Sequence, residues 1–221
     1  MGVQRVSADP GPDGADAPIR PFRSGDEPAL MRVCLETGDA GRDATALIAD
    51  GDLVGTIWCM PYLVLEPELA SVVAVGEEPP RGYVLGALDT AAFEAAAAER
   101  YWPAVRERYP LDAHDPDTMD GLLVHVIHDR SSGDHRQELL ARYPSHLHID
   151  LLPDVQGRGF GRRLVDRLVD QLARRGSTGV HLGVNPANTG AIEFYRRLGF
   201  DEWPEPGDGM SRTFVRSITP R

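Results

Sequence analysis

The sequence predicts an α/β (α+β) fold, in which a mixed and mostly antiparallel central sheet carries helices on both faces. Short runs rich in β-branched residues alternate with longer segments whose apolar residues recur at helical spacing. Two of the short runs are joined by a hairpin signature, which is typical of antiparallel strands. Of the 221 residues, 42% are hydrophobic and 26% are charged, so the chain contains enough apolar material for one core.

The N-terminal residues differ in composition from the rest of the chain. Residues 1–18 combine Gly, Pro, Ala and Asp without an apolar period, which predicts a flexible N-terminal arm. Residues 19–221 have a length that suits a single domain. This domain is predicted to begin with a short strand at residues 19–22, Ile-Arg-Pro-Phe.

Two helices and a hairpin are predicted to follow the first strand. Ser24 and Glu27 have the spacing of a capping box, which predicts the start of a helix that ends at Gly38. A second helix is predicted over residues 52–63, where apolar residues recur on one side. The hairpin consists of strands over 70–75 and 83–88, with the turn-forming sequence Gly-Glu-Glu-Pro-Pro-Arg-Gly over 76–82.

An insertion of about residues 90–145 is predicted to be largely helical and to precede the next strand. Within it, residues 122–127 have the length and apolar character of a strand. If this strand extended to His128, His125 and His128 would point to opposite faces, because they are three residues apart. The predicted elements of the insertion are a helix over 91–108 that is interrupted at Pro103, a strand over 122–127, a mobile loop over 129–134 and a short helix over 137–142.

The C-terminal part of the chain alternates strands and helices. Its first strand is predicted over 146–152 by strict alternation, with Leu147, Ile149 and Leu151 on one face and His146, His148 and Asp150 on the other. The later predicted elements are a helix from Phe160 to Leu172 that stops at Gly176, a strand over 180–184, a helix that Asn188 caps and that ends at Gly199, and a strand over 212–218.

Composition and charge exclude several classes of protein. The formal net charge is −11, which disfavours a nucleic-acid or anionic-membrane binder and suits a cationic partner such as an amine. The chain contains two cysteines, too few for a disulfide scaffold, which indicates a reducing cytoplasmic location. No apolar run approaches the roughly 18 residues of a membrane-spanning helix.

The turn Gln156-Gly-Arg-Gly-Phe-Gly161 lies between a predicted strand and a predicted helix. Glycines at a helix N-terminus leave backbone amides uncovered, and the helix dipole adds positive potential, which together suit a pyrophosphate. A glycine-rich turn without a ligand is the plainer interpretation of such a pattern taken alone. A Rossmann fingerprint would need an acidic residue about 20 residues later, and a P-loop would need Gly-Lys-Ser/Thr; neither is present.

From His146 to Phe200 the chain resembles the GCN5-related N-acetyltransferases, the GNAT family. The pattern Q/R-x-x-G-x-G/A is met by Gln156, Gly159 and Gly161. A second pattern, N-x-x-A-x-x-x-Y-x-x-x-G-F, is met by Asn188, Ala191, Tyr195, Gly199 and Phe200. Three further stretches, which begin at Gly82, Tyr101 and His148, are similar to the acetyltransferase-like C-terminal domain of animal O-GlcNAcases.

The resemblance implies an N-acetyltransferase that takes acetyl-CoA as cosubstrate, needs no metal and transfers the acetyl group directly to a primary amine of a small molecule or a protein. Tyr195 would donate a proton to the departing thiolate. Asp150 would reach the acceptor, or else brace the strand. Asn188 would contact the cofactor, or else only cap its helix. The implied cofactor-binding residues are Leu151, Leu152, Gln156, Gly157, Arg158, Gly159, Phe160, Gly161, Arg162, Asn188 and Tyr195, with an amide near Leu151 or Leu152 facing the thioester oxygen.

Two other functions remain open from the sequence. Many relatives place a base on the strand face that here holds Ser145, Leu147, Ile149 and Leu151, none of which is a base, so a CoA-binding or peptide-binding pseudo-acetyltransferase is the main alternative. The row His146, His148 and Asp150 has the spacing of a metal hydrolase, but that class usually continues with a histidine where Leu151 stands. The predicted N-terminal arm and the resemblance to the GNAT family are both compatible with a homodimer.

Overall fold

In the computed structural model, which describes residues 19–129, 137–204 and 211–220, seven strands form one mixed sheet. Their spatial order is β1-β2-β3-β4-β5-β7-β6. All neighbouring strands are antiparallel except β4 and β5, which are parallel. The strands are β1 (Ile19–Pro21), β2 (Ser71–Val73), β3 (Gly82–Ala87), β4 (Ser145–Leu151), β5 (Gly179–Val184), β6 (Asp201–Glu202) and β7 (Arg212–Ser217).

Helices cover both faces of this sheet, as the sequence predicts. The described α-helices are α1 (Glu27–Glu36), α2 (Asp52–Trp58), α3 (Met60–Leu65), α4 (Thr90–Arg100), α5 (Trp102–Arg108), α6 (Met119–His128), α7 (Gln137–Arg142), α8 (Phe160–Arg174) and α9 (Thr189–Arg197). Cys34 of α1 contacts His148 of β4, whereas Leu168 of α8 packs against Gly86 of β3. Since Gly86 and His148 lie on opposite faces of the paired strands, α1 and α8 cover opposite sides.

The packing of α8 depends on a strand position without a side chain. A Cβ atom at Gly86 would lie 2.6 Å from a methyl carbon of Leu168, so a side chain at this position would force the buried Leu168 to move. The residues of α8 that face the sheet recur at helical spacing and are fully buried, which explains why the sequence pattern predicts this helix well. They are Leu164, Val165, Leu168 and Leu172.

The register of β4 decides which of its side chains share a face. Strands β3 and β4 pair without a bulge from Gly82↔Leu151 to Ala87↔His146. The parallel pairing with β5 is much shorter and consists of Ser145↔Val180 and His146↔His181. The two strands therefore diverge after His146, and the β5-facing edge of β4 carries no ladder beyond that point.

The predicted strand over 122–127 is wrong, because these residues belong to α6. The side chain of Thr118 accepts a hydrogen bond from the Gly121 amide and caps the helix. Short apolar runs suit a buried helix as well as a strand, and here the buried positions have helical spacing. His125 and His128 consequently lie one helical turn apart and bind the carbonyl oxygens of Gly121 and Tyr109.

Three local predictions also need correction. The capping box of Ser24 is not formed, because Asp26 precedes α1 and its carboxylate binds the Arg23 amide and the Arg20 guanidinium. The predicted helix over 52–63 is divided at Cys59. The predicted helix over 91–108 is divided at Tyr101. A proline stands in the first turn of the second helix of each pair, where its missing N–H costs nothing.

Two predicted segments lie outside the described residues: the N-terminal arm, and all but the first residue of the loop over 129–134. Within the described ranges, no helix combines the length and the apolar character needed to cross a membrane.

Candidate active site

The glycine turn before α8 exposes backbone. Gly157 and Gly159 have φ angles of 69° and 79°, in the left-handed region that favours glycine. Nothing lies within 4 Å of the position that a Cβ atom would take at either residue. Gly159 directly precedes Phe160, the first residue of α8, so the uncovered amides stand at the positive end of a fifteen-residue helix. This geometry suits an anionic group such as a pyrophosphate.

The other residues of the turn have mainly structural contacts. The side-chain amide of Gln156 donates to the Leu151 carbonyl oxygen at 2.8 Å and closes the turn. A Cβ atom at Gly161 would lie 3.0 Å from the ring of Phe194, so this glycine permits contact between α8 and α9. Arg162 donates to the Arg197 carbonyl oxygen at 3.2 Å, which ties the same two helices together.

The open edge of β4 supplies backbone donors. The Leu152 amide donates to the Arg81 carbonyl oxygen at 2.9 Å, so it is not available to a ligand. Hydrogen-bonded and non-bonded pairs alternate along an antiparallel ladder, which turns the amides of Leu151 and Ile149 away from β3. They point toward the gap where β4 and β5 diverge. The expected thioester donor is therefore not Leu152, whereas Leu151 and Ile149 have the required direction.

A polar cluster lies on the opposite side of β4 from α8. The Tyr83 hydroxyl donates to the Asp150 carboxylate at 2.6 Å and lies 3.1 Å from His148 Nε2. His148 Nε2 is also 3.0 Å from the same carboxylate and 3.9 Å from Cys34 Sγ. Tyr83 faces Asp150 directly across the β3–β4 ladder.

The charges of this cluster interact strongly because it is shielded from water. The side chains of His148 and Asp150 are 27% and 20% exposed. Burial alone would lower the pKa of His148, but the charge of Asp150 and the hydrogen bond to it prevail and raise the pKa of His148 to about 10. At neutral pH the cluster therefore contains an imidazolium paired with a carboxylate. Burial raises the pKa of the Cys34 thiol, which keeps it protonated.

The H-x-H-x-D row does not act as one group. His146 leaves the cluster and places Nδ1 2.8 Å from the Thr90 hydroxyl, with its ring against Tyr62 and Phe93. Instead of His146, Cys34 lies beside His148 and Asp150. The atoms of these three side chains that could coordinate a metal ion all lie within 4.8 Å of one another. The structure thus does not bring together the three residues of the hypothesised metal site. Neither Cys34 nor Tyr83 is indicated by the sequence pattern; Cys34 is 114 residues away from His148 in the chain.

Tyr195 lies near Asp150, in a largely apolar environment. Its side chain is 6% exposed and packs against Phe200 and Phe214. Burial raises the pKa of the Tyr195 hydroxyl, and the charge of Asp150 raises it further. Tyr195 therefore holds its proton at neutral pH. No side chain among the described residues hydrogen-bonds this hydroxyl, which is thus available to a ligand.

Asn188 forms the predicted helix cap. Its Oδ1 accepts a hydrogen bond from the Ala191 amide at 3.0 Å. Its amide nitrogen lies beside Gly41, where a Cβ atom would come within 2.9 Å of it. The segment between α1 and α2 therefore reaches the start of α9.

Comparison with known proteins agrees with this geometry. Residues 133–200 match the family described as "Acetyltransferase (GNAT) family". Protein O-GlcNAcase of Rattus norvegicus is 24% identical over 181 residues, which are 82% of this chain and 20% of that protein. The chain thus spans about a fifth of the length of this curated relative. Ribosomal protein bS18-alanine N-acetyltransferase of Salmonella typhimurium is 46% identical over 50 residues, 23% of this chain and 34% of that enzyme.

A solved structure extends the likeness to nearly the whole chain. The crystal structure of SsHAT is 40% identical, has a TM-score of 0.81, and covers 92% of this chain and 98% of its own. The match thus includes the helical insertion as well as the two sequence motifs. The turn before α8, the diverging strands β4 and β5, and this overall likeness agree, and the chain belongs to the GNAT acetyltransferase family.

Proposed function

We propose that the protein is an acetyl-CoA-dependent N-acetyltransferase that transfers the acetyl group to a primary amine by direct attack in a ternary complex. The observation that carries this proposal is the row of uncovered amides, which runs from the turn at Gly157 and Gly159 to the free edge of β4. Tyr195 lies close enough to Asp150 of that strand for the carboxylate charge to raise the pKa of its hydroxyl. Along this row, donors for an anionic group and donors for an amide-bearing chain follow in the order in which an acyl-CoA presents these groups. The turn suits the pyrophosphate, and the Ile149 and Leu151 amides suit the acyl-bearing arm and the thioester oxygen.

The proton transfers can be assigned to two residues. An alkylammonium acceptor must lose a proton before its nitrogen attacks, and we propose that the carboxylate of Asp150 takes it. The nitrogen then bonds to the thioester carbon and the C–S bond breaks. The thiolate receives the Tyr195 proton, and the second nitrogen proton restores the Tyr195 hydroxyl. One proton, which passes from Asp150 to the solvent, is released in each turnover.

The remaining assignments follow from the same site. The acceptor would be a small amine or a peptide or protein amine, and the bS18-alanine N-acetyltransferase relative makes a protein N-terminus one candidate. The two cysteines, both buried and free, fit a reducing cytoplasm. Residues 19–221 would form one domain, and a homodimer is compatible with the sequence. The chemistry as written needs no metal.

The test is acetyl-CoA turnover with a panel of amines, measured by thiol release. We expect Tyr195→Phe and Asp150→Asn each to lower kcat about 10²-fold or more, because each removes a proton transfer. The dissociation constant of acetyl-CoA, measured by calorimetry, should change little in both variants. Asp201→Asn on the exposed edge strand β6 is the matched control and should retain full activity.

Two outcomes would contradict this proposal. Acetyl-CoA binding without thiol release across the panel would favour a pseudo-acetyltransferase. Absence of acetyl-CoA binding would remove the donor site itself.

A further inference from the structure

The polar cluster on β4 brings together three kinds of atom that bind metal ions. The sulfur of Cys34, Nε2 of His148 and a carboxylate oxygen of Asp150 all lie within 4.8 Å of one another. Thiolate, imidazole and carboxylate are the ligands that zinc sites in proteins use. Among the residues that the structure describes, this is the only group of three His, Cys, Asp or Glu side chains with such a spacing.

The distances within this group are close to those of a tetrahedral zinc site. With bonds of about 2.0–2.1 Å to nitrogen or oxygen and about 2.3 Å to sulfur, tetrahedral geometry sets the ligand atoms about 3.3–3.6 Å apart. His148 Nε2 lies 3.0 Å from the carboxylate oxygen of Asp150 and 3.9 Å from the Cys34 sulfur. A cation among these three atoms would therefore need shifts of only about 0.3–0.4 Å in each pair, which small side-chain rotations provide.

The surroundings support the ligands and leave a route for the ion. The Tyr83 hydroxyl donates to the Asp150 carboxylate at 2.6 Å, and hydrogen bonds of this kind orient the ligands of a metal ion. Cys34 is only 2% exposed, whereas the side chains of His148 and Asp150 are 27% and 20% exposed. An ion would thus enter past His148 and Asp150 and reach the sulfur last.

The charges and the ligand types favour one class of cation. A divalent cation displaces the protons of the Cys34 thiol and of the His148 imidazolium, because only thiolate and neutral imidazole coordinate a metal. The charges of the cation, the thiolate and the Asp150 carboxylate then cancel, which suits a site shielded from water. Mg²⁺ and Ca²⁺ prefer oxygen ligands, whereas sulfur and nitrogen ligands favour Zn²⁺.

We propose that Cys34, His148 and Asp150 form an inhibitory site for a thiophilic divalent cation, with Zn²⁺ as the best match. Bound Zn²⁺ would occupy the Asp150 carboxylate, which under the proposed function takes a proton from the acceptor amine. The inhibition therefore rests on the proposed function, whereas the binding site does not. The cation takes no part in the acetyl transfer itself.

Co²⁺, which replaces Zn²⁺ in tetrahedral sites and absorbs light, tests the site directly. Titration of chelator-treated wild-type protein with Co²⁺ should produce a thiolate-to-cobalt charge-transfer band, and Zn²⁺ should displace the Co²⁺ with a dissociation constant of about 1 μM or lower. Cys34→Ala should remove the band, and His148→Gln should weaken Co²⁺ binding about tenfold or more. Cys59→Ala, which removes the other buried thiol, is the matched control and should keep the band and the affinity. Circular dichroism checks that each variant is folded.

Two results would overturn the site. One is the absence of a charge-transfer band from the wild-type protein at about 100 μM Co²⁺. The other is an unchanged band in folded Cys34→Ala, since that result would assign the thiolate to another residue.

The inhibition is measured as the ratio of acetylated amine formed with and without saturating Zn²⁺, by mass spectrometry. Zn²⁺ should lower the turnover of the wild-type protein about tenfold or more, because it removes a proton acceptor, and should leave the ratio for Cys34→Ala near one. A wild-type ratio near one, despite the cobalt band, would overturn the inhibitory role. If the wild-type protein acetylates no amine without metal, the proposed function fails, and the cobalt band still decides whether the site exists.

Discussion

Asp150 is held by two neighbours, which give its carboxylate a fixed direction. Tyr83 donates to it at 2.6 Å from the facing strand position, and His148 contacts the same oxygen at 3.0 Å from the next position on that face of β4. Tyr83 is fully buried, so its side chain has little freedom to release the carboxylate. The second carboxylate oxygen is not part of these contacts, and under the proposed function it would face the acceptor. Rigid support of this kind is what a proton-accepting group needs.

His148 should make the stability of the protein depend on pH. Its folded pKa, about 10, is higher than the value of about 6.5 in an unfolded chain. The resulting stabilisation is complete below about pH 6.5 and is lost as the pH rises toward 10. Between pH 6.5 and about 7.5, where unfolded cysteines and tyrosines ionise little, the free energy of unfolding should fall by at most about 1.4 kcal/mol per pH unit.

Urea unfolding of wild-type and His148→Gln protein across that range measures this effect. The variant should be less stable overall, because Asp150 loses its charged partner, but its stability should fall less steeply with pH. His114→Gln, in the insertion, is the control and should keep the wild-type slope. Equal slopes for the wild-type protein and His148→Gln would show that His148 is not the imidazolium partner of Asp150.

At the scale of elements, the contact between β3 and α8 fixes the position of the glycine turn. Gly86→Ala would place a Cβ atom 2.6 Å from Leu168, and we expect this overpacking to lower the free energy of unfolding by about 1–3 kcal/mol. Gly183→Ala on β5 is the matched control, because its Cβ atom would meet Ser211 at an ordinary 3.5 Å. Urea unfolding compares the two. A change as small in Gly86→Ala as in the control would show that α8 can shift away from the sheet without loss.

The elements also show where sequence patterns succeed and where they fail. The helix α8 is predicted well because its apolar residues keep one period over four turns and Gly176 provides the stop. The helix α6 is missed because a short and mostly apolar run of six residues, which includes His125, fits a strand or a helix equally. The cap at Thr118 and the burial of one helical face then decide in favour of the helix.

At the scale of the whole molecule, the net charge of −11 should favour cationic acceptors over long distances. Salt screens such attraction, since the Debye length falls from about 10 Å at 0.1 M to about 3 Å at 1 M. We therefore expect kcat/KM for a dicationic amine to fall several-fold as NaCl is raised through this range, and to fall less for a monocationic amine. Steady-state thiol release at fixed saturating acetyl-CoA measures both. An identical salt dependence for the two amines would contradict steering by the overall charge.

The sequence by itself determined the family, the glycine turn before α8 and most of the elements. These features depend on local spacing: Gly157 and Gly159 have the backbone angles that their residue type suggests, and Asn188 caps the helix that carries Tyr195. Only the tertiary structure decided what surrounds Asp150, because Cys34, Tyr83 and His148 meet there from three separate elements. The tertiary structure also decided where a cavity opens between the β2–β3 hairpin and the turn before α8. These two segments are more than 70 residues apart in the chain, from Arg81 to Val155. Local sequence patterns specify the backbone conformation of each element and the face that it buries. Contacts between distant segments depend instead on how these buried faces pack against one another.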